Sequence, residues 1–538
     1  MTGLRDLKLP DPATWTTAEA FEPPGVRRYR IADDCLRAEP TKPAVVEAAS
    51  GTTLTYGELD ARSARLANHL VGSGLVAGDR VAVKLSQSID MAIAVLGVLR
   101  AGGVVVPLSN VLATGGLLHR LGDADPRLLV CSGDAEERQL AADADVTLMA
   151  VEHLAQVVAS GSTSVSPATA GDADEPALLL YTSGTTGKPK GVLQAQRFLL
   201  GHHALDLAFD RVRPNDIAYS PVDWTWAGGL MLGLLVPLAH GLTVVAHREA
   251  GFDPHATVAM MQRHDVSIGL FPPTVLRMLR EAGAMDGDAV RRSRLRAFVT
   301  GAEAVEPELI DWADGCGITV NNAYGQTEAN ALVGHAACLG RLDQRSMGRP
   351  YPGHPVEVLV DALSPVAVGV PGQLAVRADD PVCMLGYWNQ PEATAAKVVS
   401  GWLLTGDTAH RADDGTLWFH GRGDDIIKSG AYRLGPAEIE AAVLTAPGVL
   451  HCAVVGLPDP IRGQVVTAAV ELAPGVDGDD ALADAIRDRV RSAVGAHAYP
   501  RIVRFVDRLP RTTTGKIDRT TVRTELAGAG QPAGGGVR

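Results

Sequence analysis

Residues 81–108 read VAVKLSQSIDMAIAVLGVLRAGGVVVPL, and this stretch decides the fold class. An apolar run of strand length is followed by a continuous apolar segment from Ile89 to Arg100, and then by a second Val-rich run after Gly102-Gly103. Short β-branched runs bounded by glycines read as strands and the longer segment as a helix, so the whole is a strand–helix–strand unit. The pattern returns at 216–246, where DIAYSPVDW leads into AGGLMLGLLVPLAHG, read as helical, and then into LTVVA. Such units pair their strands in parallel and cover the sheet with helices, which predicts an α/β protein with a mostly parallel sheet repeated at least once.

Outward from these units, the chain has 538 residues, well past the roughly 150 of a typical domain, so two or more domains and a sizeable core are expected. With 46% hydrophobic and 21% charged residues, the composition excludes a disordered, collagen-like or coiled-coil chain. Lys and Arg number 49 against 62 Asp and Glu, a net charge of −13. That sign argues against non-specific nucleic-acid binding, and any anionic substrate has to be met by a local basic site. The six cysteines (Cys35, Cys131, Cys316, Cys338, Cys383 and Cys452) contain no CxxC pair, which fits a reducing cytoplasm better than a disulfide framework or zinc site. The N-terminal MTGLRDLKLPDP lacks a signal-peptide core, and the longest apolar run, Ala227 to Ala246, is interrupted by Pro237, His240 and glycines, so no membrane span is expected. Residues 161–174 read as a surface loop feeding an apolar strand at Ala177–Tyr181. A composition shift at 421–430, GRGDDIIKSG, precedes strand-like LHCAVVGL and VVTAAVELA, a helix near 480–494 and RIVRFVD. These predict a separate C-terminal domain of roughly a hundred residues. The tail GAGQPAGGGVR has almost nothing to bury and is expected to be disordered.

Directly after the strand ALLLY stand Thr182, Ser183, Gly184, Thr185, Thr186, Gly187, Lys188, Pro189, Lys190 and Gly191. Alternating hydroxyls, glycines and lysines give a polyanion backbone N–H groups, side-chain donors and two cations, a phosphate grip. It is not a Walker A loop, because Pro189 stands where that pattern needs Ser or Thr. Further along come Gly301-Ala302-Glu303, Tyr324-Gly325-Gln326-Thr327-Glu328, Thr405-Gly406-Asp407, Gly421-Arg422 with Asp424-Asp425, and Thr514-Gly515-Lys516.

In these motifs and their order, over almost the whole chain, the sequence resembles the adenylate-forming superfamily of acyl-CoA synthetases, peptide-synthetase adenylation domains and luciferases. DWTWAGG, YGQTEAN, SMGRPYPGH and GYWNQPEAT are most similar to bacterial AMP-forming acyl-CoA synthetases. The resemblance implies a large N-terminal region (1–423) of two related, mostly parallel α/β sheet subdomains plus a small β region, and a small mobile α+β C-terminal domain (424–538) carrying the catalytic lysine. It implies a cytoplasmic enzyme that activates a medium-sized or aromatic carboxylic acid with ATP and Mg²⁺ and hands the acyl group to CoA.

Residue by residue, the same resemblance places Thr182 to Gly187 and Lys190 on the phosphates, and Gly301, Ala302 and Glu303 along one face of adenine. Asn322, Ala323, Tyr324, Gly325 and Gln326 also line the nucleotide, with the ring of Tyr324 on the base. Thr327 meets the α-phosphate and Glu328 holds Mg²⁺, a hard ion suited to carboxylate oxygens. Asp407 would accept from both ribose hydroxyls, since a carboxylate offers two acceptor oxygens, and Arg422 would reach the same ribose or the phosphates. Lys516 neutralises charge developing in adenylate formation, and Asp424 is the hinge about which the C-terminal domain turns between half-reactions. Taken singly, each loop charge would be an ordinary solvated ion-pair partner; the motifs together raise them to site residues.

Some positions depart from the pattern. The acceptor channel is matched by Gly430, Ala431 and Arg433, but the order Ser429-Gly430-Ala431 exchanges the usual alanine and glycine; either a methyl group there narrows the path that the resemblance gives the pantetheine arm of CoA, or the loop shifts slightly and Gly430 does the same job. Asn322 and Ala323 replace an acidic and a bulky residue, and Gln194 and Gln196 replace histidines. Tyr219, Trp224 and Trp226 are candidates for an acyl pocket together with Ala323 and Gly325, at least one of the three aromatics serving core packing instead, and Asp223 would face a polar group on the substrate. An alternative keeps the adenylating site without CoA: a relative that passes the acyl group to an amine or carrier thiol, or an ATP-dependent diazotase that activates nitrite for an aromatic amine. A non-catalytic nucleotide binder is disfavoured by the retained Lys516, Glu328, Asp407 and Arg422.

Overall fold

The computed structural model describes residues 3–7, 28–164, 171–182, 189–248, 251–287, 290, 293–301, 303, 305–360, 364–422, 425, 427–429, 432–459, 463–495, 498–511 and 517–528, without the side chains of Lys428, Tyr432, Arg433 and Glu438. The first strand–helix–strand unit is present as strand Arg80–Lys84, helix Ile89–Arg100 and strand Val104–Pro107, with the two strands parallel. Ser88 caps the helix by accepting from the Met91 amide at 3.1 Å, and Gly102, at φ +78°, ends it in a backbone conformation that glycine alone adopts freely. Every residue from Met91 to Leu99 is buried, as expected of a helix apolar on all sides.

This unit is the centre of a seven-stranded sheet. Its order runs Gly386–Tyr387, Lys190–Ala195, Pro176–Thr182, Val104–Pro107, Arg80–Lys84, Leu128–Cys131, Thr147–Ala150. The second unit, strand Ile217–Tyr219 and strand Thr243–Ala246, lies in a nine-stranded sheet whose central strands, including Ile268–Leu270, Ala297–Gly301 and Thr319–Tyr324, are all parallel. The segment between those two strands is not one helix: it passes from Ala227–Leu230 through a π turn at Met231–Leu235 into Val236–Ala239, where Pro237 withholds a backbone donor. An antiparallel sheet of strands Val356–Val360, Ser364–Pro365, Gly372–Arg377, Val398–Val399, Trp402–Arg411 and Leu417–Arg422 is the small β region.

The chain from Ile427 onward has its own sheet: Tyr432–Leu434, Ile427–Ser429, Gly463–Leu472 and Val449–Asp459 are antiparallel, and Ile502–Val506 joins in parallel. Helices Pro436–Leu444 and Asp480–Ala493 pack on one face over a core of Ile427, Ile439, Val443, Val454, Val466, Ile486 and Val490. Helix Arg519–Gly528 covers the other face through Val522 against Ala453 and Val455. Both clusters draw only on residues from 427 onward, the mark of a separate domain core. The large-plus-small α/β architecture expected from the sequence is therefore what folds. Residues 165–170 and the tail 529–538 lie outside the described residues, and among those described no helix is long and apolar enough to cross a membrane.

Candidate active site

Strands Ala297–Gly301 and Thr319–Tyr324 run in parallel with Gly301 beside Ala323, and both end at the same edge. Ligands of open α/β sheets bind at such carboxyl ends. Tyr324 is the last residue of its strand, and Gly325 turns the chain so tightly that a Cβ there would lie 2.3 Å from the Ala331 amide nitrogen. Only glycine fits this approach, which folds Gln326–Ala331 into a compact loop closed by Gln326 N–H donating to the Ala329 carbonyl (2.8 Å).

Strand Trp402–Arg411 carries Asp407 against this loop, in register with Arg422 on the neighbouring strand. Asp407 is 4% exposed. Its Oδ2 accepts from the Tyr324 hydroxyl and from Gln326 Nε2 (2.7 Å), and its Oδ1 lies 3.6 Å from Arg422 Nε. Burial pushes the Asp407 carboxyl up from its ordinary value, against the Tyr324, Arg422 and Gln326 contacts that pull it down. Burial likewise pushes the Tyr324 phenol well up, so it stays a donor. Asp407, Tyr324, Gln326 and Arg422, drawn from three separate sequence motifs, thus meet in one cluster.

Next to it stands Glu328, whose Oε1 accepts from the Tyr387 hydroxyl at 2.7 Å. Tyr387 lies on strand Gly386–Tyr387, paired with Lys190–Ala195, the strand that follows the Thr/Gly/Lys segment 182–189 in sequence. The Lys190 ammonium sits 5.1 Å from the centre of the Tyr387 ring, a cation–π contact. From the same strand Gln194 donates to the Thr327 carbonyl (2.7 Å), and the Met384 amide donates to the Glu328 carbonyl (2.9 Å). The Thr327–Glu328 loop is therefore tied to strand Lys190–Ala195 and to Met384 beside it. A partly buried carboxylate oriented through one oxygen by Tyr387 is a hard oxygen donor of the kind Mg²⁺ on a nucleotide takes from a protein.

The family profile of the AMP-binding enzyme matches residues 32–388, and that of the AMP-binding enzyme C-terminal domain matches residues 438–516. The chain belongs to the AMP-binding enzyme family. Within it, this AMP-binding enzyme is of the AMP-forming acyl-CoA ligase group. It is 29% identical over 498 residues to the acetyl-coenzyme A synthetase of Bacillus subtilis, covering 87% of this chain and 84% of that protein. It is 31% identical over 503 residues to the mitochondrial acyl-coenzyme A synthetase ACSM4 of Mus musculus, covering 88% and 84%. Among solved structures, ATP-bound MatB from Rhodopseudomonas palustris superposes with a TM-score of 0.84 at 27% identity, over 93% of this chain and 99% of that one. A benzoate CoA ligase from Burkholderia xenovorans LB400 superposes with a TM-score of 0.80 at 25% identity, over 92% and 100%.

The remaining residues expected at the site have the following surroundings. Glu303 accepts from Thr274 Oγ1 and pairs with Arg277 (3.0 Å), which also binds Glu306. Trp224, taken as a pocket liner, is 1% exposed in the main core, and Tyr219 packs against Phe271 in the second core, so Trp226 alone of the three aromatics keeps partial exposure. Asp223, expected to face substrate, is engaged by Arg248 and by Ser109 Oγ (3.3 Å). Thr182 ends its strand opposite Lys190. Ser183 to Lys188, Ala302, Asp424, Gly430, Ala431 and Lys516, and the Arg433 side chain, lie outside the described residues. Sequence reasoning missed Tyr387 and Lys397. Tyr387 stands in GYWNQPEAT, and Lys397 eight residues before Thr405 of the TGD motif, but neither has a spacing that reports a contact with the YGQTE loop.

Proposed function

We propose that the protein activates a carboxylic acid with ATP and Mg²⁺ and transfers the acyl group to CoA, the acid being medium-sized or aromatic. The carrying observation is the buried Asp407 carboxylate with Tyr324, Gln326 and Arg422 gathered about it, set against the loop that follows a parallel strand and also bears Glu328. Asp407, on its side facing away from Tyr324, accepts the two ribose hydroxyls, and Arg422 offsets its charge. Thr327 donates to the α-phosphate, and Glu328, steadied by Tyr387, holds the metal ion, which supplies positive charge to the phosphates. Two anions must meet when the acid's carboxylate oxygen attacks the α-phosphorus and pyrophosphate leaves, and preorganised positive charge is the main way to lower that barrier. Lys190, Arg422 and Lys516 provide it. The C-terminal domain, 424–538, then turns about Asp424, withdraws Lys516, and lets the thiol attack the acyl carbonyl with AMP as leaving group.

The names of the relatives support the acyl and CoA halves of this reading, and the partly exposed Trp226 with the small Ala323 supports an acid of aromatic or medium size. Pyrophosphate exchange into ATP across a panel of acids tests it. Exchange that depends on one class of carboxylic acid is the expected result; acid-independent ATP hydrolysis, or exchange with no acid in the panel, would remove the proposal.

A further inference from the structure

Helix Pro391–Lys397 ends in a lysine that the activation chemistry above does not use. Its ammonium is partly buried and donates to the Thr405 carbonyl at 3.0 Å, with Gln326 Oε1 at 3.5 Å. Gln326 is fully committed on its other side, where Nε2 gives one hydrogen to Asp407 Oδ2 (2.7 Å) and the other to the Thr405 carbonyl (2.9 Å). An ammonium has three donors and no acceptor, so its natural partner on an amide is the oxygen. The contacts run in one direction, from Lys397 to Gln326 and from Gln326 to Asp407, with the Thr405 carbonyl bracketed by both.

We propose that Lys397 is a positioning residue of the nucleotide site, holding Gln326 and the Thr405 carbonyl so that the Asp407 carboxylate stays aimed and charged for the ribose hydroxyls. The proposal rests on the nucleotide half of the function proposed above. Lys397 is the last residue of its helix, where the exposed carbonyl ends favour a cation. The charged and titratable groups that bear on it are Glu328, Asp407, Arg422 and Lys190. Those bearing on Asp407 are Tyr324 from the preceding strand, Arg422 from the paired strand and Lys397 from the helix, with the neutral Gln326 amide between them. Burial drives Asp407 toward its neutral form, and Lys397 acts with Tyr324, Arg422 and Gln326 against that drive. Burial also lowers the Lys397 ammonium from its ordinary value, while the two carboxylates hold it up. A neutral side chain at 397 leaves Gln326 Oε1 without its donor and Asp407 with one cation fewer, so the carboxyl takes up its proton at a higher pH.

The test is direct binding of AMP to the full-length protein by titration calorimetry from pH 5.5 to 8, which needs neither acid substrate nor CoA. Lys397→Met, with its fold checked by thermal melting, should bind AMP about tenfold more weakly at pH 7.5, the loss expected when one charged hydrogen-bond donor is removed. The acid limb of its binding profile should shift to higher pH, and its preference for AMP over 2′-deoxy-AMP should shrink. Lys397→Arg, which keeps the charge, should return the limb toward its wild-type position, which a purely structural role for the side chain would not do. The proposal is overturned if a folded Lys397→Met binds AMP within twofold of wild type with an unmoved limb, if the Met and Arg variants shift alike, or if the wild type fails to distinguish AMP from 2′-deoxy-AMP. If AMP binding behaves as stated while no acid supports pyrophosphate exchange, the acid-activating reading fails and Lys397 keeps its role.

Discussion

Tyr387→Phe isolates a single hydrogen bond at the proposed metal carboxylate. The substitution keeps the ring, and so keeps the Lys190 ammonium 5.1 Å from its centre, and removes only the hydroxyl that donates to Glu328 Oε1 at 2.7 Å. Hydrogen bonds to a charged acceptor contribute roughly 1.5–3 kcal/mol. Glu328 is only partly buried, so water recovers part of that, and about 1–2 kcal/mol of orientation should be lost. This corresponds to a five- to thirtyfold rise in the Mg²⁺ concentration for half-maximal activity, by the rule of about 1.4 kcal/mol per factor of ten. The assay is pyrophosphate exchange at saturating acid with free Mg²⁺ titrated from micromolar to tens of millimolar. The KM for the acid should move little, and thermal stability should stay close to wild type because the packing is unchanged. An unaltered Mg²⁺ dependence would refute the idea that Tyr387 steadies Glu328 for the ion, and a parallel loss at every Mg²⁺ concentration would put the hydroxyl's role in the fold instead.

Gly325→Ala forces a Cβ to within 2.3 Å of the Ala331 nitrogen, so the loop bearing Thr327 and Glu328 must move, and a displacement of about an ångström should cost adenylation on the order of a hundredfold in kcat/KM. Lys516→Ala should abolish adenylate formation while thioester formation from a pre-made acyl-adenylate survives; equal loss of both steps would contradict a role confined to the first. Ala431→Gly should leave adenylation unchanged and raise CoA-dependent turnover if the methyl group narrows the thiol path, as steady-state rates at varied CoA will show. Stability should fall in acid. Burial holds His202 down to about 4 and His203 to about 3, so both stay neutral in the fold while the unfolded chain protonates below its ordinary value near 6.5. The unfolded state then binds more protons as pH falls, and each histidine removes about 2 kcal/mol by pH 5, read as a lower urea midpoint that His202→Asn partly restores.

The parallel sheets were legible because their strands and the helix between them are local patterns: the apolar run at Ile89–Arg100 is a helix over those same residues. The π turn at Met231–Leu235 was not, since it adds one residue to a helical turn without altering the apolar pattern that marks the segment. The motifs named Asp407, Arg422, Tyr324, Gln326 and Glu328, but not their mutual contacts, which span as many as 83 positions between Tyr324 and Asp407. Tyr387 reaches Glu328 across 59 positions and Lys397 reaches Gln326 across 71, and both contacts exist only because the edge strand Gly386–Tyr387 and the helix after it fold back over the loop. Trp224 illustrates the converse. Its place in an aromatic-rich segment beside the second unit suggested a pocket, yet a large apolar side chain at that position is needed to fill the core over Gly233, where a Cβ would meet the indole nitrogen at 3.0 Å.

The most direct test of the account is product identification with wild-type protein, ATP, Mg²⁺ and the acid that best supports exchange, with and without CoA. AMP and pyrophosphate should form in equal amounts, with an acyl-CoA thioester of matching yield that appears only when CoA is present. AMP released without any thioester, under conditions where exchange is normal, would contradict it and would move the acyl group to a different acceptor.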